Sequence, residues 1–399
     1  MIGARQLAVV ASIAGGIGGT GCIKELDPIT GTQSLTVDLV SPASGGTQDQ
    51  RLPDSQRTIT INVTARGPDG EVDTSFDRDV QVYAQYLGTL TPPLGSLTPL
   101  ASFHVTAGVA TNQVVTLPPT FGATTIWVDD GQSADPTYAT GTSPTLWYRD
   151  PFIADLQAPA DETALDALSS SPLENKQVKV GRSRYGARGR FVVTSVFAQG
   201  YTVSDVECAD EAGTPPCTSQ AYDHAMVFSF SAPRDTDGRR VEEGQLIAGF
   251  GGGVSEFNGL TEIGFPQTFV EQQDINPARM PAPAVVDGTT WFNALSDPLG
   301  KINFERNEAA PIQINNGVVC PIDDDYATYK QWKIAPPGGS CGGFDVINVI
   351  TAGTVTSIDP PALVGMTLPK VVGVLRPVNI GTFNVWIIFP RSAADVILP

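Results

Sequence analysis

The sequence is poor in the residues that carry most enzyme and metal chemistry. Of 399 residues only two are histidines, His104 and His224, and lysines number seven against seventeen arginines. A structural zinc site needs four cysteine or histidine ligands in suitable spacing, and no CxxC pair occurs among the five cysteines. No apolar stretch approaches the roughly 20 residues that a membrane-spanning helix requires. Positive charge is scarce: 24 Lys and Arg stand against 42 Asp and Glu, a net charge of −18. A negative field of that size repels polyphosphate and argues against bulk nucleic-acid binding. The 41 glycines and 32 prolines leave room for few long helices, while 41% hydrophobic residues suffice for packed interiors. At this length two or three domains are expected.

What is present begins at the N-terminus. Arg5 gives a positive start, residues 7–17 form an apolar run broken only by Ser12, Gly15 and Gly16, and Gly18-Gly19-Thr20-Gly21 leads into Cys22. A charged start, a short apolar middle and a small-residue exit mark a secretory signal peptide. A cysteine directly after small residues resembles a bacterial lipobox. The resemblance implies that residues 1–21 are removed, that Cys22 is lipidated and that the chain is anchored to a membrane. Ile23 after the cysteine implies the outer membrane, on either face. The alternative is an ordinary signal peptide with an incidental cysteine. Loss of residues 1–21 removes Arg5 alone, leaving 23 basic against 42 acidic residues and a net charge of −19. With Cys22 acylated, Cys208, Cys217, Cys320 and Cys341 form an even set that pairs in an oxidising compartment. Three connectivities are possible. Proximity favours Cys208–Cys217 and Cys320–Cys341, each closing a Pro/Gly-rich excursion.

Residues 22–33 read as a polar linker. Period-2 alternation then recurs at 35–40, 58–64, 80–86, 124–128 and 145–148, with two more strands around the Ala107-Gly108 turn between 102 and 117. Such spacing argues for an antiparallel sandwich over 34–149. The stretch Val63-Thr-Ala-Arg-Gly-Pro-Asp-Gly70 resembles the strand-then-turn of bacterial immunoglobulin-like domains, which serve as spacers on surface proteins. Residues 150–172 read as a linker with one helix at 161–168, whose acidic first turn suits a helix N-terminus.

From 173 onward the pattern is β again, and it repeats. VEEGQLIAGFGGGVSEFNGLTEIGFP at 241–266 and LPKVVGVLRPVNIGTFNVWIIFP at 368–390 each give a Gly-containing strand, an Asn/Gly turn, a second strand and Phe-Pro. A strand pair is expected ahead of each, at 177–205 and 311–319, and an insertion with one cysteine pair within each. Two copies of one unit are the economical account. The stretch 189–205, Asn258-Gly-Leu-Thr-Glu-Ile263, Gly373-Val-Leu-Arg376 and 389–395 resemble the OB-fold-like modules of secreted bacterial nucleases. Those enzymes carry catalysis on a separate nuclease domain, for which this chain has no room. Barrels of this type bind oligonucleotides or oligosaccharides in many families. The fold expectation is therefore all-β: an N-terminal immunoglobulin-like β-sandwich followed by two OB-like β-barrel modules with insertions, at 173–285 and 286–399.

Chemical motifs are few. Gly338-Gly-Ser-Cys-Gly342 matches the G-x-S-x-G of a hydrolase elbow, but that chemistry needs a following helix and a later histidine; a disulfide-held turn is expected. The glycines at 16, 18 and 21 spell a dinucleotide fingerprint inside the export signal, without the strand–helix unit it requires. Asp235-Thr-Asp-Gly238 and Asp323-Asp-Asp325 offer oxygens for calcium, yet basic neighbours make solvated loops the expectation. No catalytic residue, metal or cofactor is expected. The exception to the acidic background is KQVKVGRSRYGARGR at 176–190, six cations without an acid. Lys176, Lys179, Arg182, Arg184, Arg188 and Arg190, with Tyr185 to stack a ring, could hold an anionic polymer or glycan. The alternative is pairing with acids on neighbouring strands. The functional expectation is a lipid-anchored, non-enzymatic envelope binding or structural protein, with an accessory factor binding nucleic acid or anionic polysaccharide at 176–190 as the second reading.

Overall fold

The computed structural model describes residues 31–86, 98–131, 139–159, 171–270, 274–292, 298–343, 345–380 and 383–399. Cys22, the segment 1–21 and the expected helix at 161–168 lie outside the described residues.

The first unit packs two antiparallel sheets over one core. One sheet runs β1 (Ser34–Ser41), β2 (Thr58–Arg66), β5 (Val109–Thr116); the other holds β3 (Arg78–Tyr86), β4 (Ala101–Val105), β6 (Ala123–Asp129), β7 (Thr140–Thr142) and β8 (Leu146–Trp147). The alternation in β2 is met side chain by side chain: Ile59, Ile61, Val63 and Ala65 are buried and the residues between them are not. Ala107 and Gly108 both adopt positive φ in the turn between β4 and β5, as a two-residue hairpin requires. Gly141 is held by packing. A Cβ there would sit 1.8 Å from the Leu35 carbonyl oxygen, so β7 closes on β1 only through a glycine.

Among the described residues, helices form at places the sequence does not announce. α1 (Ile153–Gln157) opens the second unit, and the Phe152 amide donates to Asp155 Oδ2 at 2.8 Å across its first turn. α2 (Pro298–Arg306) and α3 (Asp324–Tyr329) belong to the third unit. The second unit's sheet runs β13 (Leu246–Ile247), β10 (Gly189–Phe197), β11 (Gly200–Glu207), β12 (His224–Phe228), β15 (Leu260–Phe269), β14 (Gly249–Phe257), β9 (Gln177–Val180). In the third, β17 (Pro311–Val319), β18 (Gln331–Ala335), β19 (Ile347–Ile350), β21 (Phe383–Phe389) and β20 (Thr367–Ile380) form a ring that closes because β20 also pairs β17; β16 (Ala284–Val285) and β22 (Val396–Ile397) flank it. Both units share one path. The third strand of each runs parallel to the fifth, β12 with β15 and β19 with β21, and every other neighbour along the five-strand path is antiparallel. The hairpins β14–β15 and β20–β21 occupy the same place in this order, which accounts for the repeat. Two differences correct the sequence reading. Residues 311–319 are one strand, whose next partner lies beyond Cys320. In the second unit the first strand is split into β9, paired with β14, and β10, paired with β11.

Disulfides join Cys208 to Cys217 and Cys320 to Cys341, closing loops of 9 and 21 residues. The first lies between β11 and β12; the second spans from the end of β17 past β18. Loops of this size are worth about 3 kcal/mol each on chain-entropy grounds.

Candidate functional site

The six cations at 176–190 do not form one face. The loop between β9 and β10 folds back on β11 and β12, and its basic side chains meet acids there. Arg184 Nε lies 2.8 Å from Asp223 Oδ1, and its Nη2 donates to the Tyr185 hydroxyl and the Ala221 carbonyl, each at 3.2 Å. Tyr185 in turn donates to Asp223 Oδ2 at 2.5 Å, and the Arg184 amide donates to Asp205 Oδ2 at 2.9 Å. Burial pushes Asp205 up to about 7 and raises Asp223 and Tyr185. This network fastens the loop. Arg188 pairs with Glu207, and Arg190 is spent on the carbonyls of Ala187, Gly189 and Glu211. Burial lowers the Lys176 pKa. Arg182 is exposed beside the network.

Lys179 is placed differently. Its ammonium lies 5.7 Å from the centre of the Phe269 ring, on the rim of a groove of about 250 Å³ built from β9, β14 and β15. Gln177, Gly251, Gly252, Phe265 and Gln267 complete it. The floor is bare backbone because nothing larger fits: a Cβ on Gly252 would stand 2.5 Å from the Gly264 carbonyl oxygen. Glycine in a strand interior weakens the strand and marks close approach of another backbone or a ligand. Phe265 is 79% exposed and Phe230 67%. Their rings lie 5.2 Å apart, and Phe230 is 5.3 Å from Phe228, so a row of rings leads away from the groove. Contiguous exposed apolar surface of this kind marks a contact site. Reasoning on charge alone missed these residues. The signal that finds them is the Gly-Phe-Gly-Gly-Gly run inside a strand at 249–253.

The remaining chemical motifs are structural. Ser204 Oγ and His224 Nδ1 are 2.7 Å apart, but the residues are 0% and 3% exposed and burial drives the imidazole down to about 3. That pair is sealed from any substrate. Ser340 sits in the turn after β18 with its Oγ accepting from the Gly342 amide, and β19 rather than a helix follows. Asp323 caps α3 and pairs with Lys333; Asp235 Oδ1 accepts the amides of Asp237 and Arg239. Among the described residues no group of three or more His, Cys, Asp or Glu is arranged to hold a metal ion. No protein-family model, curated protein or solved structure matches the chain, so strand order and site geometry are what bear on its function.

Proposed function

We propose that the chain is an exported, lipid-anchored, non-enzymatic binding protein of the bacterial cell envelope, in which an immunoglobulin-like stalk carries two OB-like barrels. Two sheets over one core support the sandwich. The five-strand path with a parallel third and fifth strand, present twice, supports the OB-like assignment, that fold being a five-stranded Greek-key barrel. Two disulfides accord with an oxidising compartment. The anchor is tested by mass spectrometry of native material: the chain should begin at Cys22 and carry acyl mass there. Retention of residues 1–21, or a free thiol at Cys22, overturns it.

The binding role is carried by the groove in which Lys179 faces Phe265 and Phe269 across a glycine floor. Rings on an open sheet stack against flat faces of sugars or bases. One cation in a chain of net charge −18 suits sparse negative charge better than a polynucleotide. An acidic polysaccharide is therefore the ligand class, and nucleic acid the second reading. Polygalacturonate is expected to bind the mature chain in a salt-sensitive manner and single-stranded DNA more weakly. Lys179→Ala should weaken polygalacturonate binding by about three- to tenfold, the range of one screened charge contact. Unchanged affinity in that variant, or no binding by the parent, overturns the assignment.

A further inference from the structure

Arg376 on β20 is a half-buried cation that makes no ion pair within 4.0 Å among the described residues. Its guanidinium carbon lies 3.8 Å from the centre of the Phe197 ring on β10 and 4.9 Å from that of Phe389 on β21, so both barrels contribute to its surroundings. Its Nε and Nη2 are shielded from solvent and find no hydrogen-bond partner among the described residues. Glu262 on β15 lines the same pocket and exerts an attraction on Arg376, yet no ion pair within 4.0 Å joins them among the described residues. Orphaned donors on a buried charge cost several kcal/mol in general, and stability alone would favour an apolar side chain at such a place. A cation with no ion-pair partner among the described residues, lining an open pocket, points to an anionic ligand.

The space for it exists. Between the barrels lies a pocket of about 320 Å³ lined by Arg376, Glu262, Met226, Phe228 and Leu260 as well as the two rings. That is the lower end of the about 300–1,000 Å³ typical of ligand pockets, mostly apolar with a few placed polar groups. The aromatic faces hold the guanidinium by cation–π contact, and Arg376 is the one cation among the residues that line the pocket. We propose that this pocket binds a small organic monocarboxylate, its carboxylate on the Arg376 edge and its apolar body among Phe197, Phe228, Met226 and Phe389. A carboxylate matches the guanidinium fork through two parallel hydrogen bonds. A dianion would meet Glu262. Burial pushes Glu262 up to about 7, so near neutrality much of it is uncharged and can share the pocket with one negative charge. The site is separate from the Lys179 groove, and the proposal stands whether or not that groove takes a polysaccharide.

Calorimetric titration of the mature chain with benzoate and hexanoate, against benzamide and hexanol, tests it. One or both acids should bind and their uncharged counterparts should bind at least tenfold more weakly. Arg376→Met should lose acid binding by at least tenfold while melting no lower than the parent, because an apolar side chain relieves the unpaired charge. Glu262→Gln at pH 8 should tighten acid binding by about three- to tenfold, since it removes the competing anion. The proposal is overturned if neither acid binds, if acids and amides bind alike, or if Glu262→Gln leaves the affinity at pH 8 unchanged. A fall in Arg376→Met melting temperature with acid binding retained also overturns it.

Discussion

Glu308→Gln is expected to stabilise the chain at pH 8 by roughly 2–4 kcal/mol and to leave it nearly unchanged at pH 5. Glu308 follows α2 and reaches from the third unit into the second, where its Oε1 accepts from the Thr261 amide at 3.0 Å. It is 3% exposed and Glu305 4%, and Oε2 of each has no hydrogen-bond partner among the described residues. Glu256 completes the cluster, with Oε1 accepting from the Ser171 amide and the Thr261 hydroxyl. Burial, and then repulsion among the three, pushes Glu305 up to about 8 and Glu308 well above the usual carboxylate range; Glu256 is raised by burial. For an acid whose folded pKa lies above its unfolded one, the folded state holds the extra proton. For both acids the stabilisation is complete below the unfolded value near 4.5 and is lost as pH rises, for Glu305 through about 8 and for Glu308 well above the usual carboxylate range. Glutamine keeps the acceptor for Thr261 and has no charge to bury. His224 acts in the opposite sense, its contribution vanishing as pH falls from 6.5 towards 3, but it is common to both proteins and cancels in the difference. Urea unfolding of parent and variant at pH 5 and pH 8 measures this. A stability difference that is the same at both pH values would show that the carboxyl does not titrate at the seam.

Trp332→Ala should cost about 3–5 kcal/mol, the range for truncating a buried aromatic core residue. Trp332 is on β18 in the ring of the third unit, is fully buried, and its indole N–H points to Thr351 Oγ1 at 3.3 Å. It packs in a core that includes Ile312, Ile347, Val349 and Leu375 from three other strands of the ring. The cavity would leave those strands without a common neighbour, and the Thr351 hydroxyl would lose its donor. The neighbouring Lys333→Ala is the control: it removes a partly exposed ion pair with Asp323 and should cost less than about 1 kcal/mol. Denaturant unfolding followed by far-UV circular dichroism separates them. A Trp332→Ala cost no greater than that of Lys333→Ala would mean that this barrel's core lies elsewhere.

Some features were legible before any coordinates. Alternation at 58–64 named the buried face of β2 because a strand's side chains point to opposite faces with a period of two, whatever the strand pairs with. Strands of two or three residues, such as β7, β13 and β16, are too short to show a period. Helix α2 starts with proline and contains Gly300, and α3 is six residues led by aspartates, so neither has the apolar spacing that announces a helix. Aspartates at 323–325 offer oxygens for a cation in the sequence, where solvated loops are the expectation, and in the fold they are a cap and a lysine partner. The direction of that ambiguity is physical: the same carboxylate satisfies an amide, an ammonium or a metal equally well, and only proximity chooses.

The sequence determined by itself what is local: which of the longer segments alternate as strands, where glycine and asparagine turn the chain, and that two hairpins follow one pattern. Tertiary structure alone decided which charges are spent and which are left. Strand pairing brings Asp223 and Glu207 to Arg184 and Arg188, sets Lys179 over a bare floor, and leaves Arg376 between two rings with no acceptor among the described residues. Those outcomes depend on distances between residues far apart in the chain, and electrostatic interaction follows distance in space rather than separation in sequence.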